Sequence, residues 1–333
     1  MIDICITIDT EFSIAGAFTS PAERRPIGEI NVTCPAAGRE QGLGFLLETF
    51  EKFGILATFF VEALQVCHFG DAPMRGVVER ILAARQDVQL HLHPCWLLFR
   101  DPDWSGHLTS DRPGDRCDGC SDQELDDMLT VGLDALRRMG VPDPIALRTG
   151  SLRVDREVYR AMSRFGLRIA SNIGLAAFRP KDPALALTGG RHRIDGVIEL
   201  PVLTYRQPPI GGRPLGLLSI TGTSWLETRS LLRRASEAGT RTIVVLTHPF
   251  EFIKGDRLHP HTWQPNRVNQ NRLTRLCDFI SRNPHEFRAV SISSAAPRWV
   301  AEPEERAPDL AVPAPLAFLR MAENRANDLI RII

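Results

Sequence analysis

The stretch from Asp87 to Trp96 reads DVQLHLHPCW, an apolar run that ends in two histidines one residue apart, then a proline and a cysteine. Imidazole is a common transition-metal ligand. In an extended chain His91 and His93, two apart, project to the same side. Pro94 pushes the residue before it towards extended geometry, which keeps His93 in that alternation. A second pair lies in ITIDTEF, where Asp9 and Glu11 are also two apart. His248 stands where the apolar run of VVLTHPF ends, and IALRTG carries Arg148. Two imidazoles and one carboxylate make a three-ligand catalytic site that leaves room for water. A second carboxylate can serve as general base, a further histidine as general acid, and an arginine can orient the base. That is the apparatus of metal-assisted hydrolysis. Each feature alone has a plainer meaning, a hydrogen-bonded structural histidine or a solvated acidic turn. Their joint placement at strand ends is what argues for chemistry.

The elements that must position these residues alternate along the chain. ICITID, ILATFFVEA, DVQLHLH, PIALRTG, LRIASNIG, VIELPVL, TIVVLTHPF and FRAVSIS read as strands. Between most of them lie helical patterns. SDQELDDMLTVGLDALRRMG opens on a serine cap with an acidic first turn, keeps Leu125, Met128, Leu129, Leu133 and Leu136 on one face, and stops at Gly140. Repeated βα units predict a parallel sheet with helices outside it. The expected fold class is α/β, a distorted (β/α) barrel of seven or eight mostly parallel strands. In such sheets the C-terminal strand ends form the working face. Asp9, Glu11, His91, His93, Arg148 and His248 would converge there. Residues 12–41 and 97–120 interrupt the pattern as long loops of the kind that form lids or rims. Residues 1–300 are expected to form the barrel domain. Residues 301–333 are expected to form a Pro-rich linker and a C-terminal amphipathic helix.

The 333 residues carry 40 basic and 40 acidic side chains, so no basic block points to nucleic acid. No run approaches the roughly 18 apolar residues of a membrane span. The opening MIDICITIDTEF reads as a strand and not as a signal peptide, so a cytoplasmic location is expected. Seven scattered cysteines suit reduced thiols better than a disulfide frame.

TIDTE, ATFFVEA, DVQLHLHPCW, LRTGS, IELPV and VLTHPF, in that order over roughly residues 2–295, resemble the polysaccharide deacetylase family, carbohydrate esterase family 4. The resemblance implies a distorted barrel that removes acetyl groups, most often N-acetyl, from a carbohydrate or glycan precursor, using Zn²⁺ or another divalent metal. It implies that Asp9 is the catalytic base, Arg148 its partner and His248 the catalytic acid. His91 matches the first metal histidine, and Glu11 falls near the metal-binding aspartate. The chain departs from the family pattern there, because the ligand is glutamate. It also departs four residues after His91, where the family's second histidine is Cys95. His93 is the expected ligand, with the Cys95 thiolate as the alternative.

Two other functions remain open on the sequence. One is an amidohydrolase acting on a small cyclic amide, although such barrels carry their HxH on the first strand. The other is a catalytically degenerate relative that binds carbohydrate without turnover. CDGC, holding Cys117 and Cys120, reads as a loop with two thiols. His259 to Trp263 reads as an exposed loop, with a sugar-stacking groove as the alternative. The C-terminal stretch places Leu316, Leu319, Ala322, Ala326, Leu329, Ile330 and Ile333 near one face. That face is expected to pack on the barrel, with a peripheral membrane or subunit contact as the alternative.

Overall fold

The computed structural model describes residues 1–108, 114–210 and 212–329. Nine strands form one curled sheet: β1 (Ile2–Thr10), β2 (Thr58–Glu62), β3 (Asp87–Leu92), β4 (Ala146–Thr149), β5 (Ile169–Ala170), β6 (His192–Ile194), β7 (Val197–Glu199), β8 (Thr242–Thr247) and β9 (Phe287–Ala289). Their order is β8–β1–β2–β3–β4–β5–β7–β6, with β9 paired to the start of β1. Only β6 runs antiparallel to its neighbour. Eight parallel strands thus meet the expectation of a mostly parallel barrel. The curl brings the far side back: single parallel bridges join Val202 to Val244 and Ser219 to Leu246 on β8. Closure there is loose, which is the distortion of the barrel.

β1 shows how the sequence builds both layers. Ile2, Ile4, Ile6 and Ile8 point outward into the large core under the helices. Cys5 belongs instead to a smaller interior cluster with Phe60, Ala146, Ile169, Ile198, Val244 and Leu246. Asp3, Thr7 and Asp9 share its alternation. Asp3 lies at the floor, where it accepts hydrogen bonds from Arg288, Arg298 and the indole N–H of Trp299. Asp9 lies at the opposite, C-terminal end.

The outer layer comprises α1 (Leu43–Phe53), α2 (Ala72–Ala83), α3 (Asp122–Arg138), α4 (Arg156–Arg164), α5 (Trp225–Glu237) and α6 (Arg267–Arg282). Ser121 and Glu124 close a reciprocal capping box on α3, and Ser224 and Glu227 do the same on α5. The expected apolar face of α3 is buried from Leu125 to Leu136.

Three readings need correction. FRAVSIS is strand only at Phe287–Ala289. Ser291 then caps a helix, α7 (Ile292–Ala301), by accepting from the backbone N–H of Ser294. LRIASNIG is strand only at Ile169–Ala170, because Ser171 and Asn172 turn their side chains to the backbone, Ser171 to the Leu200 carbonyl and Asn172 to the Thr149 N–H. The C-terminal helix, α8 (Ala314–Leu329), packs on the barrel through Leu316 and Ala317 in its first turn and through polar side chains from Arg320 onward, so the expected apolar face is used only in part. Arg320 reaches Glu227, Gln207 and the Gly222 carbonyl, while Glu323 and Asn324 meet Arg272. Phe318, Leu319 and Leu329 stay more than half exposed. Beyond that first turn the docking surface offers charges and carbonyls, and the helix meets it with polar side chains. Ile330 and Ile333 lie outside the described residues. Among those described, no helix is long and apolar enough to cross a membrane.

Candidate active site

Register explains why distant residues meet. Ile8 pairs with Thr247, which sets Asp9 beside His248. Glu62 pairs with His91, and His91 with Arg148. Opposed residues of a parallel ladder face the same side of the sheet, so one row at the C-terminal edge carries Glu62, His91 and Arg148, and Asp9, paired with Phe60, faces that same side one pleat lower. Beyond the strand ends, Glu11, His93 and His248 extend that row.

Glu11, His91 and His93 form the group of donors that could hold a metal ion among the described residues, their ligand atoms all within 4.8 Å of one another. Nε2 of His93 lies 2.8 Å and Nε2 of His91 3.5 Å from Glu11 Oε2. The other ring nitrogens are occupied. His91 Nδ1–H donates to the Arg148 carbonyl at 2.9 Å, and His93 Nδ1–H donates to Asp115 Oδ2 at 2.6 Å. Both rings are therefore held with Nε2 facing the same carboxylate. Burial works against charge on His93, but Glu11 and Asp115 outweigh it and hold its pKa well above the ordinary value. Burial likewise opposes ionisation of Glu11, and His93 followed by His91 more than compensates, leaving its pKa well below the usual range.

Cys95 takes no part in this group. It lies in a 3₁₀ turn, Pro94–Arg100, and is 6% exposed. Burial, reinforced by Asp115, pushes its thiol far above the ordinary range, so thiolate is disfavoured there.

Arg148 is fully buried. Its guanidinium donates to Asp9 Oδ1 at 2.7 Å, to Thr7 Oγ1, and to the hydroxyl and carbonyl of Ser171, and it stacks 4.4 Å from the Phe60 ring. That leaves Asp9 Oδ2 free of Arg148 and 3.9 Å from His248 Nε2. His248 Nδ1–H donates to Glu251 Oε1 at 3.1 Å, and Thr247 Oγ1–H holds the other oxygen of Glu251. Burial lowers the proton affinity of His248, but Glu251, then Asp9 and Glu11, raise its pKa to about 9.

Three acidic residues escaped the sequence reading. Glu251 sits three residues beyond His248, in THPFE, and that spacing could have marked it. Glu62 ends β2 and accepts backbone N–H bonds from Leu64, Gln65 and His93; burial pushes its carboxyl to about 8. Asp115 arrives from the long loop after β3, 22 positions from His93, and nothing local in the sequence marks it.

Glu11, His93, Asp115, Trp96 and Arg257 help line a cleft of about 170 Å³. A larger hollow, about 440 Å³, lies at Arg191, but that arginine is already paired with Glu302 and Glu305. Cys117 and Cys120 are free thiols. Trp263 is buried, with its indole N–H on the Asp256 carbonyl, so it forms no sugar-stacking groove.

No protein-family model matches the chain, and no curated protein matches it. Solved structures do. A Mycobacterium smegmatis protein described as a polysaccharide deacetylase aligns over 92% of this chain and 95% of its own, at 17% identity and a TM-score of 0.53. A family 4 carbohydrate esterase from Streptomyces lividans, solved with acetate, aligns over 92% and 97%, at 12% identity and a TM-score of 0.42. A family 4 pseudoenzyme from Bacillus anthracis aligns over 87% and 64%, at 13% and 0.40. The last two superpose too loosely to carry an argument. The first shows that this chain has the polysaccharide deacetylase fold; at that identity the likeness speaks for fold and not for chemistry.

Proposed function

We propose that this chain, built on the polysaccharide deacetylase fold, is a metal-dependent hydrolase that removes an acyl group, N-acetyl first among the candidates, from a carbohydrate or glycan precursor. The observation that carries the reading is the joint arrangement of Glu11, His91 and His93 as a three-donor set beside the Arg148–Asp9 pair and the Glu251–His248 pair. The carbohydrate substrate is supported by the Mycobacterium smegmatis protein of like fold.

The donors fit Zn²⁺ or another divalent ion. Two imidazoles and a carboxylate are a catalytic ligand set, and the fixed Nδ1 partners present both Nε2 atoms for ligation. When bound, such an ion supplies Lewis-acid polarisation of the acyl carbonyl and lowers the pKa of water. The chain's own residues do the rest. Asp9 takes the proton of the attacking water on Oδ2, the oxygen Arg148 leaves free. Arg148, anchored by Thr7 and Ser171, prevents Asp9 from rotating. His248 carries its proton at neutral pH because of Glu251 and gives it to the departing nitrogen.

Elemental analysis of wild type, His93→Ala and Cys95→Ser after identical dialysis tests the reading. It is paired with acetate release from N-acetylated chito-oligosaccharides. Near one equivalent of zinc in wild type and Cys95→Ser, lost in His93→Ala, is the expected result. A wild type that holds no metal even after Zn²⁺ is added refutes the hydrolase.

A further inference from the structure

We propose that Asp115 is a positioning residue: its carboxylate on one edge of the His93 ring and Gly150 beneath the ring fix Nε2 towards Glu11 and thereby set the metal affinity of the site. The inference rests on the metal-site reading above. His93 differs from His91 in where it is held. His91 lies within β3, is 1% exposed, and bonds a main-chain carbonyl. His93 lies one residue past β3, and its side chain is 16% exposed. With its ring outside the ladder, it needs an orienting partner from elsewhere.

Asp115 supplies that partner, and it is itself braced. Asp118 forms a two-bonded ion pair with Arg153, at 2.7 and 3.0 Å. The backbone N–H of Gly119 donates to Asp155 at 2.6 Å, and Cys117 is buried. These contacts tie the loop to the chain just after β4. Asp115 Oδ1 also accepts from the backbone N–H of Cys95, so one carboxylate spans the His93 ring and the turn that follows it.

Gly150 acts from the other side. A Cβ built there would sit 2.6 Å from His93 Nδ1 and 2.7 Å from Cε1, closer than real Cβ atoms approach. The next two residues, Ser151 and Leu152, hold left-handed backbone at φ 56° and 55°, uncommon for residues with side chains. The chain bends sharply at the place where it passes beneath His93. A carboxylate that holds a ligating histidine typically contributes 10–100-fold in metal affinity.

Zinc affinity is measured by competition with a chromophoric chelator for wild type, Asp115→Asn and Gly150→Ala, beside Tm in the metal-free state. Asp115→Asn keeps the shape and removes the charge, and it is expected to weaken zinc about 10–100-fold, with a small fall in metal-free Tm from the lost charge pair with His93 and no loss of the folded state. It should also move the His93 Nδ1–H proton resonance upfield without losing it, because a neutral amide oxygen is a weaker acceptor than a carboxylate, whereas a loosened loop would lose the resonance altogether. Gly150→Ala is expected to weaken zinc comparably by displacing the ring. Wild-type affinity in Asp115→Asn overturns the role of the carboxylate, and wild-type affinity in Gly150→Ala overturns the role of the close approach. A wild type that binds no zinc refutes the underlying metal-site reading instead.

Discussion

Glu251→Gln isolates what keeps the proposed acid charged. His248 is 22% exposed at its side chain, and burial alone would lower its pKa. The Glu251 hydrogen bond and charge are the first causes that raise it, from 6.5 to about 9. That rise corresponds to roughly 3 kcal/mol favouring imidazolium. Glutamine preserves the bond geometry and removes the charge, and if Glu251 supplies most of the rise, the pKa drops by about two units. The protonated fraction at pH 8 then falls from about nine-tenths to about one-tenth, while at pH 6 both forms stay charged. kcat/KM should fall close to tenfold at pH 8 and less than twofold at pH 6. Histidine ring-proton titration by NMR, with His248→Asn for assignment, reads the same shift without turnover. The stability effect has a definite sign. A pKa raised in the folded state stabilises it fully below the ordinary 6.5, and that contribution is lost as pH climbs through about 9. The Tm deficit of Glu251→Gln should therefore be largest below pH 6.5 and close above pH 9. A basic limb that stays near pH 9 in both activity and NMR would refute the assignment of Glu251.

Asp9→Asn should abolish turnover while leaving zinc content unchanged; elemental analysis showing loss of zinc would make Asp9 a ligand. Arg148→Lys keeps a charge but cannot reach Asp9, Thr7 and Ser171 together, and breaking this buried pair should cost about 3–5 kcal/mol in urea unfolding. A loss below about 1 kcal/mol would show that the pair is not a structural anchor. Dialysis against a chelator should lower Tm, and zinc at about 100 times its Kd should restore about 2.7 kcal/mol of stability.

The sequence by itself determined the alternation that builds β1, with Ile2, Ile4, Ile6 and Ile8 outward and Asp3, Cys5, Thr7 and Asp9 inward. It determined the capped face of α3 and the placement of polar groups at strand ends, because periodicity and caps are local properties of the chain. The same local rules placed His91 and His93 on one side. Other features depend on partners far away in the chain. α7 begins where apolar residues read as strand because Thr58 and Asp87 accept the backbone N–H groups of Ile292 and Ser293, and α8 turned Arg320 and Glu323 inward because Glu227 and Arg272 await them there. Cys95 stood where a second ligand was plausible, yet the turn after Pro94 buried its thiol. Asp115 and Gly150 meet His93 only because the loop after β3 and the bend after β4 fold onto the same strand end. Which donors could gather was a matter of residue type and spacing. How each ring is turned was decided by tertiary contacts, since a side chain's orientation is set by whatever packs against it.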